Sequence, residues 1–193
     1  MQAATQRGRE TVRFLIDQTA SRFTVQAFAT GLLSAFGHDP TIGIRDFTGE
    51  LQFVPGTYEK AHLRVTLHTA HLETLGEMKS DDRKKLEKAM YQDILEVQRF
   101  PDAQFESQEI TVQKLGGDLL RARAGGKLTF HGVTQPLNLD ARINDMGAML
   151  RMSGEFSLRQ SDYDIKPFSF AGGVLRLKDE LKFKFEFVAR KAE

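Results

Sequence analysis

The sequence predicts an all-β protein, an eight-stranded antiparallel barrel with one amphipathic helix inserted at about 80–97. Three observations carry this. Apolar and polar residues alternate with period two in run after run. Turn-forming residues punctuate the runs at short spacing, as in a meander. One stretch alone replaces period two by spacings of three and four. The chain has 193 residues, enough for one domain with a sizeable core. No internal repeat, linker or low-complexity tract divides it. The expected organisation is a flexible segment at 1–11 and a single domain at 12–190.

In chain order, weak alternation at Phe23, Val25 and Ala27 opens the pattern, and Phe47, Gly49, Leu51 and Phe53 repeat it more clearly. Pro55-Gly56 supplies a turn, followed by Ala61, Leu63, Val65 and Leu67 on one face. Ser80 to Val97 then reads as the helix, because Leu86, Ala89, Met90, Ile94 and Val97 recur on a charged background. Ser80 is the expected N-cap, and Asp81 and Asp82 place negative charge in the first turn, where the helix dipole favours it. The helix's apolar stripe is expected to close one barrel end or pack on the wall. Gly116-Gly117-Asp118 marks the next turn, and Leu128 and Phe130 lead to another at Gly132 to Pro136. Leu137, Leu139, Ala141 and Ile143 follow, then the turn Asn144 to Gly147, then Met152, Gly154, Phe156 and Leu158. The clearest run comes last. In LKFKFEFVA, Leu181, Phe183, Phe185, Phe187 and Ala189 face one way, while Lys182, Lys184 and Glu186 face the other.

Composition limits the function. The 27 Lys and Arg against 26 Asp and Glu leave a net charge of +1, so no whole-molecule field gathers nucleic acid. With no Cys, thiol catalysis, cysteine metal sites and disulfides are excluded together. No apolar run approaches a membrane-spanning helix, and the first ten residues lack the apolar core of a secretory signal. The expected location is the cytoplasm, or the periplasm if an export segment has been removed. Fifteen Phe with no Trp bring much apolar surface and no hydrogen-bonding handle.

The five histidines do not assemble into a catalytic or metal-binding set. His62 and His68, six residues apart on one strand, stand about 20 Å from one another. His68 and His71 lack the helical i, i+4 spacing of the known zinc motif. His38-Asp39 precedes Pro40, which holds Asp39 extended, so His38 reads as a turn residue at a barrel mouth and a candidate contact for a ligand headgroup. His131 stands just before the Gly132 turn, and strand parity points it outward. No nucleophile elbow, phosphate loop or cleft-forming acid pair is present, and the paired glycines Gly125-Gly126 and Gly172-Gly173 read as loop or hairpin residues. The expectation is a protein that is not an enzyme and needs no cofactor or metal.

Three stretches then resemble the YceI-like family of bacterial, lipocalin-like polyisoprenoid-binding proteins. GKLTFHGVTQPLNLDARI, Gly126 to Ile143, is similar to that family's G-x-L-T-x-x-G-V-T-x-P-V-x-L hairpin through Gly126, Leu128, Thr129, Gly132, Val133, Thr134, Pro136 and Leu139. LEVQRFPDAQFES resembles its helix exit through Phe100-Pro101, Phe105 and Ser107, and SLRQSDYDI resembles a third signature through Arg159, Asp162, Tyr163 and Ile165. Asp164 stands where the family usually has Gly. The resemblance implies a lumen holding a long isoprenoid, such as a polyprenyl quinone or alcohol, in a carrier or sequestering protein, and it admits a homodimer. Strand parity independently assigns Phe23, Val25, Leu51, Phe53, Leu63, Val65, Phe105, Phe130, Phe156, Phe183 and Phe185 to that lumen. The competing reading is a structural or stress-linked barrel filled by its own Phe side chains, with no ligand. The same residue types serve both, and only a void separates them.

Overall fold

The computed structural model describes residues 10–30, 39–77, 79–170 and 175–193. Its strands are β1 (Val12–Ile16), β2 (Arg22–Thr30), β3 (Thr41–Ile44), β4 (Phe47–Phe53), β5 (His62–His68), β6 (Leu72–Leu75), β7 (Asp102–Gly116), β8 (Leu119–Phe130), β9 (Val133–Asp145), β10 (Met149–Arg159), β11 (Ser169–Phe170) and β12 (Leu175–Lys191). The helix α1 spans Ser80–Ala89 and continues as a wider, π-helical turn at Met90–Ile94.

These strands form a closed antiparallel barrel of eight staves. Three staves are each broken once. β1 and β2 both pair with β12, β3 and β4 continue one another alongside them, and β6 continues β5. The ladder runs from β1 through β4, β5, β7, β8, β9 and β10 to β12, and the pairs Phe14↔Lys191 to Ile16↔Ala189 close the ring. Closure removes most of the sheet edge that an open meander would expose, and the short outer edge of β6 remains.

Each break has a local cause. Between β1 and β2, the Asp17 carboxylate accepts the N–H groups of Thr19 at 3.1 Å and Ala20 at 3.2 Å, capping a single 3-10 turn. Arg190 donates to its other oxygen at 2.8 Å, so the break is tied to β12. Arg190 and the Thr19 hydroxyl hold the Asp17 pKa down at about 2. Between β5 and β6, His68 N–H donates to Asp46 O at 2.9 Å and Arg45 N–H to His71 O at 3.0 Å, so both staves bend together.

Two glycines let strands and rings approach closely. A Cβ on Gly126 would stand 2.3 Å from Glu106 O and 2.8 Å from Phe105 Cζ. One on Gly154 would stand 2.4 Å from Asp140 O and 2.6 Å from Phe185 Cζ. Each glycine therefore lies beneath a phenylalanine ring. At Gly154 the β9–β10 ladder also stops. Its pairs are Leu150↔Asp145 to Ser153↔Arg142, and the rest of β10 pairs with β12 alone.

The helix differs in detail from the single 80–97 segment that periodicity predicts. Lys79, not Ser80, is its N-cap, and Lys79 makes no side-chain capping bond. Its attachment is polar as well as apolar. Arg83, Glu87 and Tyr91, spaced i, i+4, i+8, face the outer edge of β6. Glu87 Oε1 accepts Thr74 N–H at 3.1 Å, Arg83 donates to Thr74 O and to Gly76 O, and the Tyr91 hydroxyl donates to Leu72 O. The side chains thus replace the missing partner of an edge strand, which the hydrophobic pattern alone does not reveal. The apolar side is contributed by Met90, which is buried, with Tyr91, Ile94 and Val97 against the core.

Candidate functional site

The lumen is lined by alternate residues of the staves, as pleating requires. Ten of the eleven parity assignments stand on its wall: Phe23, Leu51, Phe53, Leu63, Val65, Phe105, Phe130, Phe156, Phe183 and Phe185. Val25 does not. It faces inward opposite Phe183 and pairs with Ile42, which is buried, and it packs half-buried against the core instead of bordering the open space. Parity fixes the side of the sheet, not which inward residues border the space. His38 lies outside the described residues.

Further wall residues come from the same periodicity. Ala122 and Ala124 continue the inward row of Leu120, Leu128 and Phe130 on β8, but small residues among arginines give a faint signal. Tyr58 carries no periodic signal, because it sits in the segment between β4 and β5 with φ 58°. Its ring lies 5.3 Å from that of Phe53, and Lys114 Nζ lies 5.8 Å from its centroid. The Tyr58 hydroxyl donates to Asp145 Oδ2 at 2.9 Å. Burial, then this carboxylate, pushes the phenol up to about 12, so it stays protonated at any physiological pH.

Among the described residues, Tyr58 is the only wall side chain with a hydroxyl or other strong hydrogen-bonding group. The rest is aliphatic and aromatic. Phe156 and Phe183 stack at 4.8 Å and 7°, Phe185 and Phe187 at 5.0 Å and 27°, and Phe23 meets Phe187 edge-on at 5.4 Å. Between them lies about 1310 Å³ of unoccupied space, the open end included, of which about 140 Å³ can hold the centre of a water molecule. At 10–15 Å³ of such space per water-sized group, this accommodates roughly ten of them. The lumen is thus an apolar cavity that its own side chains leave partly open.

One motif residue explains a wall irregularity. Ser107, 5% exposed, follows Phe105 on β7 where the β7–β8 register shifts between Ser107 and Glu109. Its hydroxyl accepts Leu63 N–H at 2.8 Å, satisfying the β5 donor just past the end of the β5–β7 ladder. Asp164 adopts φ 55°, a left-handed conformation that glycine takes at least cost.

His131 is a correction to the outward orientation that parity gives. It is 9% exposed, because parity ends where the two-residue turn begins: φ is 49° at His131 and 77° at Gly132. The turn folds the imidazole over the barrel end, 4.2 Å from the Phe100 ring centroid. Nδ1 lies 3.2 Å from Tyr163 O, an acceptor, so Nδ1 carries the hydrogen. Nε2 stands 3.2 Å from Glu96 Oε2, but off the direction of a well-formed hydrogen bond. Arg99 and then burial act in opposite senses on Glu96, with Arg99 and His131 holding its carboxyl below the usual range. All three signature stretches therefore meet here, at Phe100, His131 and Tyr163, as an end packing of the barrel. His62, His68 and His71 each meet a carboxylate: His62 with Glu106 at 3.2 Å, His68 with Asp102 at 2.6 Å and His71 with Asp46 at 3.1 Å. Among the described residues no three His, Asp or Glu side chains converge on a metal position.

The YceI-like domain model matches residues 14–189. A UPF0312 protein of Pseudomonas savastanoi pv. phaseolicola is 28% identical over 172 residues, 86% of this chain and 82% of that one. UPF0312 proteins of two Pseudomonas putida strains are 32% identical over 122 residues, and the match spans 58% of their length. Among solved structures, BcnA of Burkholderia cenocepacia superposes with TM-score 0.68 at 18% identity, covering 90% of this chain and 98% of its own. A polyisoprenoid binding domain from Saccharophagus degradans gives 0.67 at 11% identity, covering 93% and 98%. At these identities the two structures speak to the fold alone.

Proposed function

The chain belongs to the YceI-like family, and from that premise we propose that its lumen binds a long, slender apolar chain, an isoprenoid quinone or alcohol, as a carrier or sequestering protein. The observation that carries the reading is the open apolar lumen in which the one polar wall side chain among the described residues, Tyr58, already has its partner in Asp145. A ligand rich in donors would leave buried groups unpaired at about 1–3 kcal/mol each. An isoprenoid has none along its length. The Saccharophagus degradans domain of the same fold, described as polyisoprenoid binding, supports the class of ligand.

The space favours this over the self-filled barrel. Roughly ten carbons, two isoprene units, enter without moving a side chain, and at ~0.8 kcal/mol per buried carbon they contribute about 8 kcal/mol, near micromolar affinity before ordering costs. Further units require phenylalanine rings to swing aside. Affinity therefore rises steeply over the first two units and less per unit beyond. Titration with geraniol, farnesol and geranylgeraniol tests this. Saturable binding with that profile supports a carrier, and absence of saturable binding at every length supports the self-filled barrel.

A further inference from the structure

We propose that one end of the barrel, formed by the tips of the β7–β8 and β9–β10 hairpins, docks on the surface of an anionic lipid bilayer. Of the four large apolar residues exposed among those described, three stand here: Leu115 at 49%, Leu119 at 43% and Met146 at 41%. Leu115 and Leu119 flank the Gly116-Gly117-Asp118 turn, and Asp145 N–H donates to Asp118 O at 2.8 Å, so the two tips form one unit. Single exposed leucines are ordinary, but three on two tied tips make a patch that inserts at an interface.

The charge around the patch selects the partner. Exposed Lys114, Arg121, Arg142 and Arg151 surround the tips, against the carboxylates Asp118 and Asp145 and with Arg121 paired to Asp140 at 3.6 Å, in a chain whose net charge is only +1. Arg121 and Arg142 are direct cross-strand partners, a like-charge pairing that costs stability in an isolated sheet. Arg142 and Arg151 line one outer groove with Arg22, Asn144, Ser153 and Glu186; Glu186 pairs with Lys184 at 3.0 Å, and among the described residues neither Arg142 nor Arg151 has a salt bridge. Long cationic side chains a few rungs above apolar tips match phosphate headgroups above acyl chains. Tyr58, on the lumen wall, is held to this same unit through Asp145 and Lys114, so the docked end adjoins the lumen. The proposal rests on the lumen reading in one respect: a carrier of long apolar chains must meet the bilayer in which they reside.

The experiment is flotation of the full chain with vesicles of phosphatidylcholine alone and of equal parts phosphatidylcholine and phosphatidylglycerol, without any isoprenoid. The protein floats with the anionic vesicles only, and less as salt rises. Arg142→Gln with Arg151→Gln weakens partition about thirtyfold, and Leu115→Ser, Leu119→Ser and Met146→Ser together about tenfold or more. Leu15→Ser, at the fourth exposed site on the outer face of β1, leaves flotation unchanged. Melting curves establish that each variant is folded. Equal flotation with both lipids, flotation with neither, variants that float like the parent, or a tip-dependent dimer without vesicle binding overturns the proposal. Prenyl alcohol titration of the same variants in detergent separates the two readings. If flotation fails and titration succeeds, only docking falls; if titration fails and flotation succeeds, only the lumen ligand falls.

Discussion

Exchanging volume within one cross-strand pair moves the length of chain the lumen accepts. Ala124 and Leu139 are direct partners on β8 and β9, and both stand on the wall. Ala124→Leu adds three carbons to a lumen that holds roughly ten. A ligand that fills the lumen loses about three buried carbons, ~2.4 kcal/mol, or roughly sixtyfold in affinity. Leu139→Ala opens the same three-carbon space from the opposite strand. The cost to stability is modest, because Leu139 is half-buried and already borders open space. Calorimetric titration with prenyl alcohols of two, three and four units reads both effects. Ala124→Leu weakens the longer chains most, Leu139→Ala moves the break in the length profile to longer chains, and the double variant returns it toward the parent. A uniform loss at every length, or no change in the single variants, refutes the placement of the ligand in this lumen.

Gly154→Ala places a Cβ 2.4 Å from Asp140 O and 2.6 Å from Phe185 Cζ, so it lowers stability by about 1–3 kcal/mol in thermal melts. Glu87→Met leaves the N–H of Thr74, a residue with no exposed surface, without its acceptor; hydrogen exchange at Thr74 accelerates by about ten- to a hundredfold. Asp17 titrates at about 2 in the folded protein against an ordinary 3.8, so its stabilisation is present above pH about 4 and lost as pH falls through about 2. Asp17→Asn therefore lowers the melting temperature at neutral pH and flattens its decline over that acid window.

The barrel was legible because its signal is repeated: LKFKFEFVA and the run from Leu137 to Ile143 each give a face without ambiguity, and pleating carries that face to the lumen. The staves broken at Asp17, Asp46 and Thr69 were less legible, since their continuity depends on hydrogen bonds between residues distant in sequence. Val25 shows the limit of parity, which gives the side of the sheet but not which inward residues border the open space. His131 shows another, because a two-residue turn with positive φ redirects a side chain that strand counting sends outward. Tyr58 lay in a loop with no period at all. The polar stripe of Arg83, Glu87 and Tyr91 was hidden by the apolar stripe beside it, and only the unpaired edge of β6 gives it meaning.

The claim that the lumen holds an isoprenoid is tested most directly by native mass spectrometry of the protein purified from its own host, with the Ala124→Leu variant prepared alongside. The account predicts a bound species whose mass corresponds to a prenyl quinone or alcohol, released on denaturation, and lower occupancy or a shorter chain in the variant. Bare polypeptide mass in both preparations, with no uptake of added prenyl chains of any length, would contradict it.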